Sequence, residues 1–321
     1  MTRRIASAGL GVMFPIALLA AVLVCAGQSR PAATAPASQP SRHYGDPHAL
    51  FTIQSAVINE ASGLLVSRTK AGIYYTHNDS GGQPEIYALD SKGGLRAVLI
   101  LDGAQNVDWE DISFAPGATS GMYDIVAADI GDNQNHRTDI RVYRFAEPEL
   151  PKAPGGQVHV QPLAYDLRYE TGPANAEAFI VNPGTGDGFV ITKRTSQPAL
   201  VLKVAAPWKK DAENLCVRVA EIDLPIQPGI GKLITAADLS PDGKTLALRT
   251  YTFGWLLRAP SGAGPFELIF TQPAERIDLA AEPQGEAICF SPDGRRLLTT
   301  SEGPHPPVYE SCLDVPVGNG P

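Results

Sequence analysis

The sequence is poor in the features that mark nucleic-acid binders, helical proteins and the common enzyme families. Lys and Arg number 26 against 34 Asp and Glu, a formal net charge of -8, which excludes a nucleic-acid partner gripped through its phosphates. GxSxG, HExxH, a P-loop and a GxGxxG following a strand are all missing, so the serine-hydrolase, zincin and nucleotide-fold readings fail. No window beyond residue 50 sustains an amphipathic helical pattern over three turns. Past the N-terminus no apolar run approaches spanning length. The four cysteines form no CxxC pair, which argues against structural zinc. What the chain has in quantity is turn formers: 31 Gly and 28 Pro among 321 residues, with 44% hydrophobic residues. That balance excludes a disordered chain, a coiled coil and a collagen-like fibre, and suits many short elements joined by tight turns.

The N-terminus opens with Arg3 and Arg4, continues through an apolar run from about Leu10 to Val24, and reaches Cys25-Ala26. This is the pattern of a secretory signal peptide, residues 1–26, with cleavage after Ala26. Lipidation of Cys25 is the competing reading, and it would give the only membrane contact. Residues 27–42 are rich in Pro, Ala and Ser and read as a disordered spacer. The remainder, 43–321, reads as one domain of an exported protein, periplasmic or secreted, and monomeric. Cys216, Cys289 and Cys312 then remain, an odd number that leaves at least one free thiol.

A recurring phrase fixes the expected fold: an acidic residue, a small residue, an apolar strand, a turn and a second apolar strand. It begins at Glu60, Glu110, Glu177, Asp238 and Glu286, positions 50, 67, 61 and 48 residues apart. Repeats of this size with about four strands apiece are the signature of an all-β fold, the β-propeller. Five blades account for the strands, and a sixth requires the 67-residue second repeat to hide a degenerate one. The fifth repeat lacks a fourth strand, which LFTIQSAVI (50–58) can supply, closing the ring and removing an exposed edge. In the fourth repeat PFELIFTQ is expected as the outer strand, and in the second VHVQPLAYDL.

Ser240-Pro241-Asp242-Gly243 and Ser291-Pro292-Asp293-Gly294 resemble the SPDG turn of TolB-like bacterial propeller repeats. The stretches NDSGG (78–82), DWEDI (108–112) and DIGDN (129–133) resemble a group of exported bacterial propeller proteins without an assigned activity. Residues 59–145 are also loosely similar to the five-bladed calcium-activated nucleotidases. That resemblance implies acidic and serine ligands around one central calcium, although no nucleobase-binding stretch is present.

In a propeller the first strand of each blade lines the axis, so Glu60, Glu110, Glu177, Asp238 and Glu286 are expected to converge at one mouth of the channel. Two unit charges 4 Å apart interact by about 4 kcal/mol at an effective dielectric of 20. Such a ring must therefore protonate, admit water or hold a cation, and an all-oxygen set favours Ca²⁺. The alternative is that each carboxylate binds backbone amides of the adjoining blade. Loops after the second strands surround the same mouth. They offer His77, Asp79, Asp132 and His136 as candidate proton-transfer groups. They also offer Asn78, Asn133, Arg137, Tyr251, Glu302 and His305, with Trp109, as candidate ligand contacts. Lys193, Arg194 and Arg249 form a basic arc suited to a small anion. Two readings follow. One is a non-catalytic module binding an extracytoplasmic protein, glycan or small ligand, favoured by the absent catalytic signature. The other is a calcium-dependent hydrolase of a small phosphorylated or lactone substrate.

Overall fold

The computed structural model describes residues 44–313; the signal peptide, Cys25 and the spacer 27–42 lie outside the described residues. Among the described residues the chain is built almost wholly of strands. In order they are β1 (His48–Thr52), β2 (Ala61–Val66), β3 (Tyr74–Asn78), β4 (Glu85–Leu89), β5 (Leu95–Leu101), β6 (Trp109–Pro116) and β7 (Tyr123–Asp129). Next come β8 (Ile140–Ala146), β9 (Gly156–Val160), β10 (Leu163–Tyr169), β11 (Ala176–Val181), β12 (Gly188–Thr192), β13 (Ala199–Val204) and β14 (Asn214–Ile222). The last are β15 (Ile234–Leu239), β16 (Thr245–Thr250), β17 (Gly254–Arg258), β18 (Glu275–Ile277), β19 (Gly285–Phe290), β20 (Arg296–Ser301) and β21 (Pro307–Cys312). No helix among the described residues is long and apolar enough to cross a membrane.

The hydrogen-bonded order resolves into four-stranded units: β2-β3-β4-β5, β6-β7-β8-β10, β11-β12-β13-β14, β15-β16-β17-β18 and β19-β20-β21-β1. Their first strands pack in a ring, β2 to β6 to β11 to β15 to β19 and back to β2. The core is correspondingly divided into clusters that each join two neighbouring units. Phe179, Val190 and Leu202 pack against Val126, Ile140 and Leu167 in one, and Leu64 and Tyr74 against Cys289 and Leu298 in another. This is a β-propeller. The inner strands β2, β11, β15 and β19 are buried on both faces, which is why they read as unbroken apolar runs rather than alternating ones.

Closure runs as the sequence suggests, but through a slightly earlier segment. Strand β1 pairs antiparallel with β21, Ala49 opposite Tyr309 and Phe51 opposite Val308, while residues 53–58 leave the sheet. Two outer strands differ from expectation. PFELIFTQ folds as a 3-10 helix at Phe266–Thr271 and buries Ile269 and Phe270, leaving Glu275–Ile277 as the outer strand of its unit. VHVQPLAYDL divides at Gln161-Pro162. Its first half, β9, pairs in parallel with β5, and its second half, β10, pairs with β8. Proline at 162 removes a ladder donor at the crossing point. Strand β10 also pairs in parallel with β14, fusing two units into one eight-stranded sheet.

Both SPDG segments form tight turns. Asp242 accepts from the Ser240 hydroxyl (2.6 Å) and the Lys244 amide (3.0 Å), and Gly243 adopts φ 67°. Asp293 and Gly294 repeat the arrangement. Cys216 and Cys289 are buried, Cys312 is exposed, and all three are free thiols.

Candidate metal centre at the acidic mouth

Each inner strand carries a β-bulge one residue inside its start. The pairing jumps from Ala61 to Gly63, Trp109 to Asp111, Ala176 to Ala178, Ile234 to Ala236 and Gly285 to Ala287. The inserted residues are Ser62, Glu110, Glu177, Thr235 and Glu286. A bulge re-aims one side chain out of the pleat, so these five are the equivalent positions around the ring, and three of them, Glu110, Glu177 and Glu286, are acids expected there from the sequence. Three are carboxylates and two are hydroxyls. The Ser62 hydroxyl donates to the backbone oxygen of Glu110 (2.7 Å) and that of Thr235 to Gly285 (3.0 Å), each bridging to the next unit.

Glu60 and Asp238 therefore do not take the ring positions expected of them. Glu60 precedes the bulge by two residues and is exposed. Asp238 lies beyond its bulge, 7% exposed, and accepts from the amides of Leu239 and Phe290, both at 2.8 Å. Asp111 is used the same way, accepting from Ile112 (2.8 Å) and from Phe179 of the next unit (2.9 Å). These two carboxylates realise the alternative of inter-blade amide binding. Burial, the larger influence, still holds Asp238 up at about 6 against the opposing pull of Arg68 and those amides.

The carboxylates at the mouth behave differently. Oxygens of Asp79, Asp108 and Glu110 all lie within 4.8 Å of one another. Glu110 is 4% exposed, and its carboxylate accepts no hydrogen bond from any described residue. Asp79 Oδ1 is likewise buried without a donor. Gly131 closes over this group, its amide donating to the Asp108 carbonyl (3.1 Å), and a β-carbon there would strike Glu110 Oε1 and the Asp108 carboxylate. Burial first, then Asp108, Glu302 and Glu177, raise Asp79 to about 7. Burial raises Asp108 against the pull of Arg137. Glu110 is pushed well up by burial and by Glu177, Asp79 and Asp108.

Across the mouth, Lys193 Nζ lies 2.5 Å from Glu177 Oε1 and 2.7 Å from the Tyr251 hydroxyl. Burial works against its charge, but Glu177 and Glu286 outweigh it and raise the ammonium. Glu286 rises to about 8 through burial and Glu177, and its Oε2 is a second buried acceptor without a donor. Gln284 donates to both Glu286 (3.3 Å) and Glu302 (2.6 Å). Burial, Glu60 and Glu177 raise Glu302.

Several other sequence candidates make scaffold contacts. His77 is fully buried, its Nδ1 3.0 Å from the Asn78 carbonyl and its ring edge-on to Trp109; burial lowers it to about 4. Asn78 clamps the preceding loop through the amides of Asn59 and Glu60 and the Val57 carbonyl. Trp109 is buried and donates to the Gln105 carbonyl (2.9 Å), a packing anchor. Asp132 accepts from the amides of His136 and Arg137, both at 2.9 Å, and so shapes its own loop. Arg137 binds Asp129 (2.8 Å) and the Gly131 carbonyl (2.7 Å). The basic arc is dispersed. Arg249 is locked in a fully buried pair with Glu282 (2.6 Å), Arg194 bonds Gln197 and Pro198 of its own loop, and Lys193 is neutralised by Glu177. His305 is exposed, with Nδ1 3.1 Å from the Ile53 carbonyl. Asn133 and His136 stay exposed on the rim.

Sequence reasoning passed over Asp108. The signal was available in the DWEDI stretch, where three acids flank one tryptophan, but only register shows which of them turns to the mouth.

No family model matches the chain, and no curated protein matches it. The structure is similar to the crystal structure of Myxococcus xanthus glutaminyl cyclase, at 13% identity over 85% of this chain and 98% of that one, with a TM-score of 0.50. The likeness is one of fold. A nidogen/laminin complex structure aligns at 14% identity over 76% of this chain and 73% of that one, with a TM-score of 0.42.

Proposed function

We propose that this is an exported ligand-binding propeller whose mouth holds a divalent cation, Ca²⁺, on Asp79, Asp108 and Glu110, and that the cation forms part of the binding surface. The observation that supports it is a contrast within one molecule. Asp111 and Asp238 each accept two backbone amides, whereas at the mouth Asp79 Oδ1 is buried without a donor and lies within 4.8 Å of carboxylate oxygens of Asp108 and Glu110. Buried polar groups are ordinarily satisfied, and oxygens within 4.8 Å of one another suit ligands about 2.3–2.6 Å from one Ca²⁺. Three carboxylates leave several of its six to eight positions open to water or ligand oxygens. Calorimetric titration with Ca²⁺ tests this directly: binding that Glu110→Gln weakens strongly is expected, and an absence of heat and of any melting shift would remove the cation.

A second reading is favoured by the groups that keep protons near neutrality. Asp79 at about 7 and Glu286 at about 8 are suited to general acid–base work, as a calcium-dependent hydrolase of phosphorylated or lactone substrates would need. Turnover of a phosphoester or lactone panel that vanishes in Asp79→Asn would establish it over simple binding.

A further inference from the structure

A polar groove of about 760 Å³ opens beside the acidic cluster and shares Asp108 with it. Its volume falls within the range of small-ligand sites. Four charged side chains line it, the acids Asp108, Asp132 and Asp139 and the single cation Arg137. Arg137 is held by Asp129 (2.8 Å) and Asp139 (3.3 Å), and the Asp132 carboxylate by two backbone amides. Beside the exposed Asp139 carboxylate, the groove presents neutral donors and acceptors: the hydroxyls of Ser80 and Thr138, the side-chain amides of Asn133 and Gln134, and the His136 ring.

The charge at the mouth decides what such a groove accepts. Asp79, Asp108, Glu110, Glu177, Glu286 and Glu302 face two cations, Lys193, which Glu177 already binds, and Arg137, which Asp129 and Asp139 hold. A divalent ion offsets two of these charges and leaves the mouth acidic, so an anionic ligand is repelled at short range. The open coordination positions still call for oxygen donors. Neutral oxygens that arrive in adjacent pairs satisfy both demands. We infer that the ligand is a neutral sugar or polyol, whose vicinal hydroxyls chelate the cation at Asp79, Asp108 and Glu110 while its remaining hydroxyls bond the groove amides Asn133 and Gln134. The inference rests on the cation reading above. Its independent support is Glu110, 4% exposed with no hydrogen bond to its carboxylate from any described residue, together with the hydroxyl and amide groups that line the groove.

The test is NMR titration of the full exported domain, with Ca²⁺ and with chelator, using methyl α-mannoside, methyl α-galactoside and myo-inositol. Mannose 6-phosphate serves as the anionic probe and butylammonium as the cationic one. The expected result is Ca²⁺-dependent shifts with at least one neutral probe, weaker binding of the phosphate, and for the ammonium only binding that Ca²⁺ displaces. Asn133→Ala and Gln134→Ala should each weaken the neutral probe about threefold to tenfold, the worth of one hydrogen bond. Ca²⁺ binding without any response to the three neutral probes overturns the ligand class and leaves the cation reading standing. Tighter binding of mannose 6-phosphate than of every neutral probe, or butylammonium binding that Ca²⁺ does not displace, overturns it equally. Failure of Ca²⁺ itself to bind overturns both.

Discussion

Gly131 offers the sharpest perturbation of the mouth. Its φ does not lie in the left-handed region, so alanine is acceptable to the backbone and any effect comes from the added methyl. That methyl lands against Glu110 Oε1 and the Asp108 carboxylate and must wedge them apart. Overpacking of this kind costs about 1–3 kcal/mol, a modest loss in the cation-free protein. The larger effect concerns Ca²⁺. A ligand at 100 times its dissociation constant stabilises the native state by about 2.7 kcal/mol, or roughly 5–11 °C in Tm for a domain of this size. If the wedge weakens the cation a hundredfold, that increment falls to about 0.4 kcal/mol. Differential scanning fluorimetry of wild type and Gly131→Ala, each with Ca²⁺ and with chelator, reads both numbers. A Gly131→Ala protein that melts a few degrees lower yet keeps the full Ca²⁺ shift would refute the placement of the ion.

Three further outcomes follow from the same geometry. Asp79 and Glu286 have folded pKa values of about 7 and 8, above their unfolded values, so the folded state retains protons that the unfolded chain releases. Stability in chelator should accordingly fall as pH rises from 5 to 8 and recover with Ca²⁺; a Tm that climbs over that window in chelator contradicts the burial of these acids. Glu282→Ala strands the buried Arg249 guanidinium and should cost about 3–5 kcal/mol by urea denaturation while leaving the Ca²⁺ increment in place. Thr235→Val removes the hydroxyl that satisfies the Gly285 carbonyl between two units, a loss of about 1–3 kcal/mol that equilibrium unfolding would detect; a neutral result would mean water replaces it.

The fold was legible because its signals are local. Tight turns such as Asp242-Gly243 and short apolar runs such as Phe179–Val181 announce themselves letter by letter. The outer strands were not, because an edge strand has few packing partners to constrain its composition: Phe266–Thr271 is apolar enough to read as strand and folds as a 3-10 helix. The site was half legible. Glu110, Glu177 and Glu286 stand at bulges, but so do Ser62 and Thr235, and a search for acids aligned the wrong neighbours, Glu60 and Asp238, with them. Arg249 and Lys193 look alike in sequence. Only the fold shows that one is sealed beside Glu282 and the other faces the mouth.

The pairing of β1 with β21 has a consequence for how the molecule is made. Ala49 meets Tyr309, so β1, the first of the described strands, waits with its ladder groups unanswered until β21 has been synthesised. Joining segments so remote carries a loop-closure entropy cost and, as a long-range contact, slows the final step. Until that latch engages, the terminal blade has an open flank able to recruit the same segment from another chain. A lesion in β1 should therefore show itself first as swapped or aggregated protein during synthesis, before any change at the distant mouth.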